Sequence, residues 1–275
     1  MRFILLLVAL LYLTRATVSA AVVKPDSLQT PVDSFRWQPA PKPSWVKQHH
    51  KLLLKSASVL AVTGLFISTY QHYDRRVQDF SQQNRTFVSD GTARLIQPMG
   101  TALPLQATFA SMLAVGALAK RPKMREAAVV GLGSFYLNAL VTDKLKKTFQ
   151  RHRPSSTEDS HLFEGADGDG RNTSFPSSHT STAFAAATAL ASVYHDSKWI
   201  PTVAYGMATL VGLSRINDNK HWASDVLAGA ALGYITGKAT YWGYHKVKKH
   251  WQKPSWVVSP AWQPGQTGLN ASLRF

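Results

Sequence analysis

The chain has 275 residues, 45% of them apolar, with no cysteine and a formal net charge of +16. That length holds one large domain or two small ones, and the absence of cysteine excludes a disulfide framework and a thiolate metal site. The basic residues are spread along the chain without an RNA- or DNA-binding motif, so no nucleic acid partner is expected; an anionic membrane surface or a phosphorylated substrate fits such a charge.

Residues 1–20 begin Met1-Arg2, run apolar from Phe3 to Leu13 and end Val18-Ser19-Ala20. A basic start, a short apolar core and a small-residue end predict a secretory signal peptide cleaved near Ala20. The apolar run falls short of the roughly 20 residues of a membrane anchor. Pro25, Pro31, Pro39, Pro41 and Pro43 then mark 21–48 as an extended, proline-rich linker. Six apolar stretches follow, at about 52–70, 102–119, 126–145, 180–194, 199–213 and 223–244. They are rich in Ala, Gly, Leu and Val, and each is expected to be a helix.

Residues 155–174 form a loop in which Asp167-Gly168-Asp169-Gly170 has only part of a calcium loop's ligand set, so a surface loop is expected. The 251–275 tail carries Trp256-Val257-Val258, a Pro/Gly turn, and Leu269, Ala271, Leu273 and Phe275 at alternate positions. That period predicts a terminal β-hairpin. A terminal Phe on an alternating strand also resembles the closing strand of outer-membrane barrels, although one strand cannot build a barrel.

The mean hydropathy is −0.13, and the stretches carry polar groups such as Lys55, Gln106 and Asn138. Both argue for helices packed on one another. An exported N-terminus followed by three crossings would moreover leave Arg153 on the cytoplasmic side, where an exported enzyme has no use for it. An exported α-helical bundle of the periplasm or cell envelope is therefore expected. The alternative is an integral inner-membrane protein whose site faces the periplasm.

Three clusters carry the chemistry: Lys146-x6-Arg153-Pro154, Phe175-Pro176-Ser177-Ser178-His179, and Ser214-Arg215-x5-His221-x3-Asp225. Arginine forks pair two phosphate oxygens at once, and Lys adds a point charge. His221 can attack phosphorus, Asp225 one helical turn later can hold the other ring nitrogen, and His179 can protonate the leaving oxygen. In an up-and-down bundle the junctions bearing these clusters fall at one end, forming a single pocket, and the amides at Ser177–His179 open a helix toward any bound anion.

At these residues the chain resembles the type 2 phosphatidic acid phosphatase superfamily, which joins bacterial lipid phosphatases, class A acid phosphatases, glucose-6-phosphatase and vanadium haloperoxidases. The pattern K-x6-RP, PSGH, SR-x5-H-x3-D is matched everywhere except at Ser178, where the family has Gly. The resemblance covers roughly residues 140–235. It implies an all-α, six-helix bundle, placed here at 49–250. In it Lys146, Arg153 and Arg215 hold the phosphate oxygens, the Ser177 hydroxyl and Ser178 amide assist, His221 is the nucleophile, Asp225 sets its tautomer and His179 is the acid. It implies no metal and no other cofactor. The expected activity is hydrolysis of lipid phosphate monoesters or isoprenyl or lipid diphosphates through a phosphohistidine. A soluble, broad-range periplasmic acid phosphatase and a vanadate-dependent haloperoxidase are the alternatives.

Overall fold

Small residues organise this bundle. In the computed structural model, residues 45–251, 255–263 and 266–274 are described. The expected signal peptide and the linker up to residue 44 lie outside them. The helices are α1 (Trp45–Ser68), α2 (Asp74–Gln83), α3 (Phe87–Ile96), α4 (Ala102–Leu118), α5 (Pro122–Phe149), α6 (Ser178–Val193), α7 (Trp199–Asn217) and α8 (Ala223–Trp251). A π-helical segment, Thr69–Tyr73, joins α1 to α2 without a break, so the described residues form seven continuous helices rather than the expected six.

Both departures have local causes. The first apolar stretch does not stop at residue 70: α2 continues it with polar residues, and buried Asp74 faces inward where the π turn shifts the helical register. Helix α3 is too polar to register as an apolar stretch. It is fixed instead by a capping box, in which Thr86 accepts from the Ser89 amide at 3.1 Å and Ser89 accepts from the Thr86 amide at 3.0 Å.

Helix α6 is the centre, packed by α5, α7 and α8. Its Ala, Ser and Thr side chains are mostly buried, and α8 meets it with glycines every fourth residue, Gly229, Gly233 and Gly237. A Cβ at Gly229 would stand 2.7 Å from the Ser177 carbonyl oxygen, and one at Gly237 would stand 2.6 Å from Thr188 Cβ. The close approach ties the starts of the two helices, since the Ser177 amide donates to the Asp225 carbonyl at 3.1 Å. Between α5 and α6 runs a buried polar seam, where Asn138 Nδ2 donates to Ser181 Oγ at 3.1 Å and Thr182 Oγ1 at 3.2 Å. Both protons of the Asn138 amide are thereby placed, while its Oδ1 has no partner among the described residues.

The far end of the bundle is held by charges. Glu126 at the start of α5 accepts from Lys248 near the end of α8 at 3.0 Å, and Lys123 reaches Asp196 after α6 at 2.6 Å. The tail is an antiparallel hairpin as expected, β1 (Ser255–Gln263) on β2 (Gln266–Arg274), with Ser255 opposite Arg274 and Gln263 opposite Gln266. Among the described residues no single helix is long and apolar enough to cross a membrane. The segments Phe87–Gly100 and Ala102–Leu118, bent by 55°, meet that length and composition only together.

Candidate active site

The first motif is shaped by the way α5 stops. Gln150 closes the helix in the left-handed region (φ 43°, ψ 55°), a conformation that disfavours a residue with a Cβ. Its side chain compensates by donating to the Gly165 carbonyl at 2.8 Å and accepting from the Gly170 amide at 2.5 Å. The reversal leaves Lys146 in the last turn, buries Arg151 and carries the chain to Arg153. Lys146 Nζ donates to the Thr173 carbonyl, and Arg153 donates to Thr173 Oγ1 at 3.1 Å. The 155–174 loop is thus tied into the site at its Thr173 end.

Ser177 is the N-cap of α6, with φ −69°, and Ser178 and His179 are its first helical residues. The first amides of a helix lack internal acceptors, so they and the helix dipole favour an anion. Ser178 is not among the residues with positive φ, which settles what the family glycine is not needed for: Ser adopts this turn without left-handed strain. Ser177 is fully buried, and its oxygen accepts from Thr180 Oγ1 at 2.9 Å, so its own proton remains available to another acceptor.

In the third motif, Arg215 near the end of α7 donates from NH1 to Asp218 at 2.8 Å, while its buried Nε has no partner. His221 lies in the turn before α8 and Asp225 in that helix's first turn. His221 Nδ1 faces Asp225 Oδ2 at 3.7 Å, too long for a hydrogen bond, and finds no other partner. The expected histidine–aspartate contact is therefore a facing pair that must close by under 1 Å to bond. Asp225 meanwhile accepts from Arg151 at 2.5 Å, Ser174 Oγ at 2.6 Å and the Trp222 amide at 3.0 Å.

The basic groups lie close enough to act on one another's ionisation. Burial, then the charge of Arg153, pushes the Lys146 ammonium down to about 8. His179 falls to about 4 through burial and the charges of Arg215, His221, Lys146 and Arg153. His221 also falls to about 4, because burial outweighs the pull of Asp225. Burial opposes ionisation of Asp225, yet His221, Arg151 and Ser174 hold its carboxyl below the ordinary value. Both histidines are consequently neutral near pH 7 in the empty cradle, and concentrated positive charge waits for an anion.

The structure brings Lys146, Arg153, Ser177, Ser178, His179, Arg215, His221 and Asp225 to one end of the bundle. Motif reading passed over Arg151, Asp74, Ser174 and Ser224, which join behind Asp225. The one signal for Arg151 was a third basic residue inside the first motif. Nothing flagged Asp74, which read as the polar boundary of an apolar stretch.

Comparison with known proteins bears on this arrangement. Residues 127–249 match the model of the PAP2 superfamily. A lipid A 1-phosphatase of Porphyromonas gingivalis is 50% identical over 70 residues, 25% of this chain and 16% of that protein's length. The chain thus spans about one sixth of that relative. Among solved structures, a transmembrane PAP2-type phosphatidylglycerolphosphate phosphatase from Bacillus subtilis aligns with a TM-score of 0.54 at 21% identity, covering 69% of this chain and 97% of that one. Aquifex aeolicus LpxE aligns with a TM-score of 0.45 at 22% identity, over 60% of this chain and 92% of that one. All three motifs lie within residues 127–249, the part of the chain that matches the PAP2 superfamily model, and the helical fold is that of the Bacillus enzyme.

Proposed function

We propose that this protein is a phosphatase of phosphorylated lipids, removing a phosphate monoester or diphosphate group through a phosphohistidine at His221 and without a metal ion. One observation carries the reading: three separated motifs converge on a cradle whose cations, among the described residues, form no ion pair beyond Arg215 with Asp218. The lipid A 1-phosphatase matched by a quarter of the chain supports the lipid class.

The roles are those the family resemblance implies, and the arrangement of the side chains supports them. Lys146, Arg153 and Arg215 hold the three non-bridging oxygens and neutralise charge as the phosphoryl group transfers. With Nδ1 turned to Asp225, His221 presents Nε2 for in-line attack. The Nε2–P bond forms as the bond from phosphorus to the leaving oxygen breaks, and His179 delivers its proton to that oxygen. Burial, and then the charges of Arg215, Lys146 and Arg153, keep His179 neutral before substrate enters. An entering phosphate dianion reverses that field, so substrate itself arms the acid. Water then attacks phosphorus with His179 taking its proton, the Nε2–P bond breaks to release phosphate and neutral His221, and Asp225 steadies the imidazolium in between.

Exposed Leu60, Phe87, Leu103, Leu140, Trp199 and Trp251 give the bundle an apolar exterior unlike that of an ordinary water-soluble surface. Together with the +16 charge, this supports docking on an anionic membrane of the cell envelope. Phosphate release from phosphatidate, isoprenyl diphosphate, lipid A and soluble monoesters, with chelator present, tests the reading. Turnover of a lipid substrate at an unchanged rate in chelator is expected. Strict dependence on added magnesium, or turnover of soluble esters alone, would overturn it.

A further inference from the structure

Behind the cradle sits a second charge cluster that the proposed chemistry leaves unused. Arg151 is 1% exposed and fills all five of its N–H groups. Nε and NH2 donate to the Ser160 carbonyl at 3.1 and 2.5 Å. NH1 donates to Ser224 Oγ at 2.7 Å and Asp225 Oδ1 at 2.5 Å, and NH2 also donates to Asp74 Oδ2 at 2.7 Å. Tyr70, Phe163 and Trp222 box the guanidinium, 5.2–5.7 Å from their ring centres.

Asp74 is equally buried and meets only donors: Arg151, the Ser224 amide at 2.7 Å and Ser224 Oγ at 2.5 Å. Burial pushes this carboxyl above its ordinary value, and Arg151 and the two Ser224 donors pull it back; with donors alone around it, the carboxylate is the form its hydrogen bonds fit. It arrives there because the π-helical segment ahead of α2 turns it inward.

Charge decides what this cluster does. Had Asp225 been alone with Arg151, the two would form a neutral pair and offer His221 little field. With Asp74 sharing the guanidinium, two carboxylates face one cation, and the buried cluster keeps a net negative charge. Arg151 occupies Oδ1 of Asp225, while Oδ2, which also accepts from Ser174 Oγ and the Trp222 amide, faces His221 Nδ1 at 3.7 Å. The ring is neutral before attack and cationic once Nε2 bonds to phosphorus with Nδ1 still protonated. A retained negative charge in a dry site favours that second state.

Resting on the phosphatase reading, we infer that Asp74 and Arg151 are positioning residues for catalysis: they aim Asp225 at His221 and keep the site's negative charge matched to the phosphorylated imidazolium. A purely structural buried ion pair would have the same distances, so the test must separate the two roles.

Two anions do so without knowledge of the natural lipid. Inorganic phosphate needs only the cradle of Lys146, Arg153 and Arg215, whereas orthovanadate in five-coordinate form also engages His221 Nε2 as a transition-state mimic. Binding of both is measured for wild type, Asp74→Asn, Ser224→Ala, Asp225→Asn and the Asp74→Asn/Asp225→Asn double variant. Asp74→Asn is expected to weaken vanadate at least tenfold and phosphate less than twofold, with no further loss once Asp225 is Asn. Ser224→Ala, which removes only the hydroxyl bridging Arg151 and Asp74, is expected to shift the same way by several-fold. Equal weakening of both anions, additive losses in the double variant, or variants that match wild type would overturn the inference alone. Failure of both Asp74→Asn and Ser224→Ala to fold would assign the cluster to the fold and overturn it too. Wild-type protein that binds neither anion would sink the phosphatase reading itself and this inference with it.

Discussion

The two ends of the bundle treat positive charge in opposite ways. At the far end, Lys123 and Lys248 stand at the surface and are paired with Asp196 and Glu126. At the cradle, Lys146 is half-buried and Arg215 buried, and the charge of Arg153 bears on both, with Asp218 paired to Arg215. Paired surface lysines clasp helices at little gain, since water screens them. Buried like charges instead raise the energy of the empty protein and lower it when an anion enters. A cation's neighbours, more than its presence, mark the site.

The contrast can be broken most decisively at the nucleophile. His221→Ala should abolish turnover, by ~10³-fold or more, with folding retained, because no other imidazole faces the cradle from that turn. Near-native phosphate release from this variant would move the nucleophile elsewhere.

Charge removal at the two ends should give unequal results. Lys146→Met should lower kcat/KM by about 10²–10³-fold. Lys123→Met should change it less than about twofold, as is usual for surface substitutions. Comparable losses in a steady-state assay would erase the distinction between the ends.

Proton linkage gives a gentler test. His221 must be neutral to attack, and its pKa lies near about 4, so kcat/KM should fall as pH drops through that value. Lys146 must be charged to hold phosphate, and its pKa lies near about 8, so kcat/KM should fall again as pH rises through that value. Lys146→Arg should remove the alkaline limb, because a guanidinium stays protonated. An alkaline limb that persists in this variant would belong to another group.

The smallest effect is expected at Ser178. Because its φ is not positive and it opens α6, Ser178→Gly should cost less than about 1 kcal/mol in stability and leave activity nearly unchanged. Thermal melts with matched kinetics would check both, and a many-fold gain in activity would reveal a strained turn after all.

Much of the site was legible because its chemistry is written in short spacings. Lys146 and Arg153 lie across one helix end, Ser177 to His179 open one helix, and His221 and Asp225 flank one turn. Such spacings survive any packing of the helices. The seventh helix escaped because α3 is specified by the Thr86–Ser89 cap rather than by apolar period, and α2 by continuation through a π turn. The hairpin was visible because alternation at Leu269, Ala271 and Leu273 is a local signal.

By itself the sequence determined the helical class, the three motifs and the chemical identity of the groups proposed to hold phosphate, since each rests on residues a few positions apart. Tertiary structure alone decided their state. Burial and mutual repulsion make His179 and His221 neutral, and Asp74 reaches Arg151 from 77 positions away. Desolvation and long-range ion pairing depend on which surfaces meet, and no spacing along the chain encodes that.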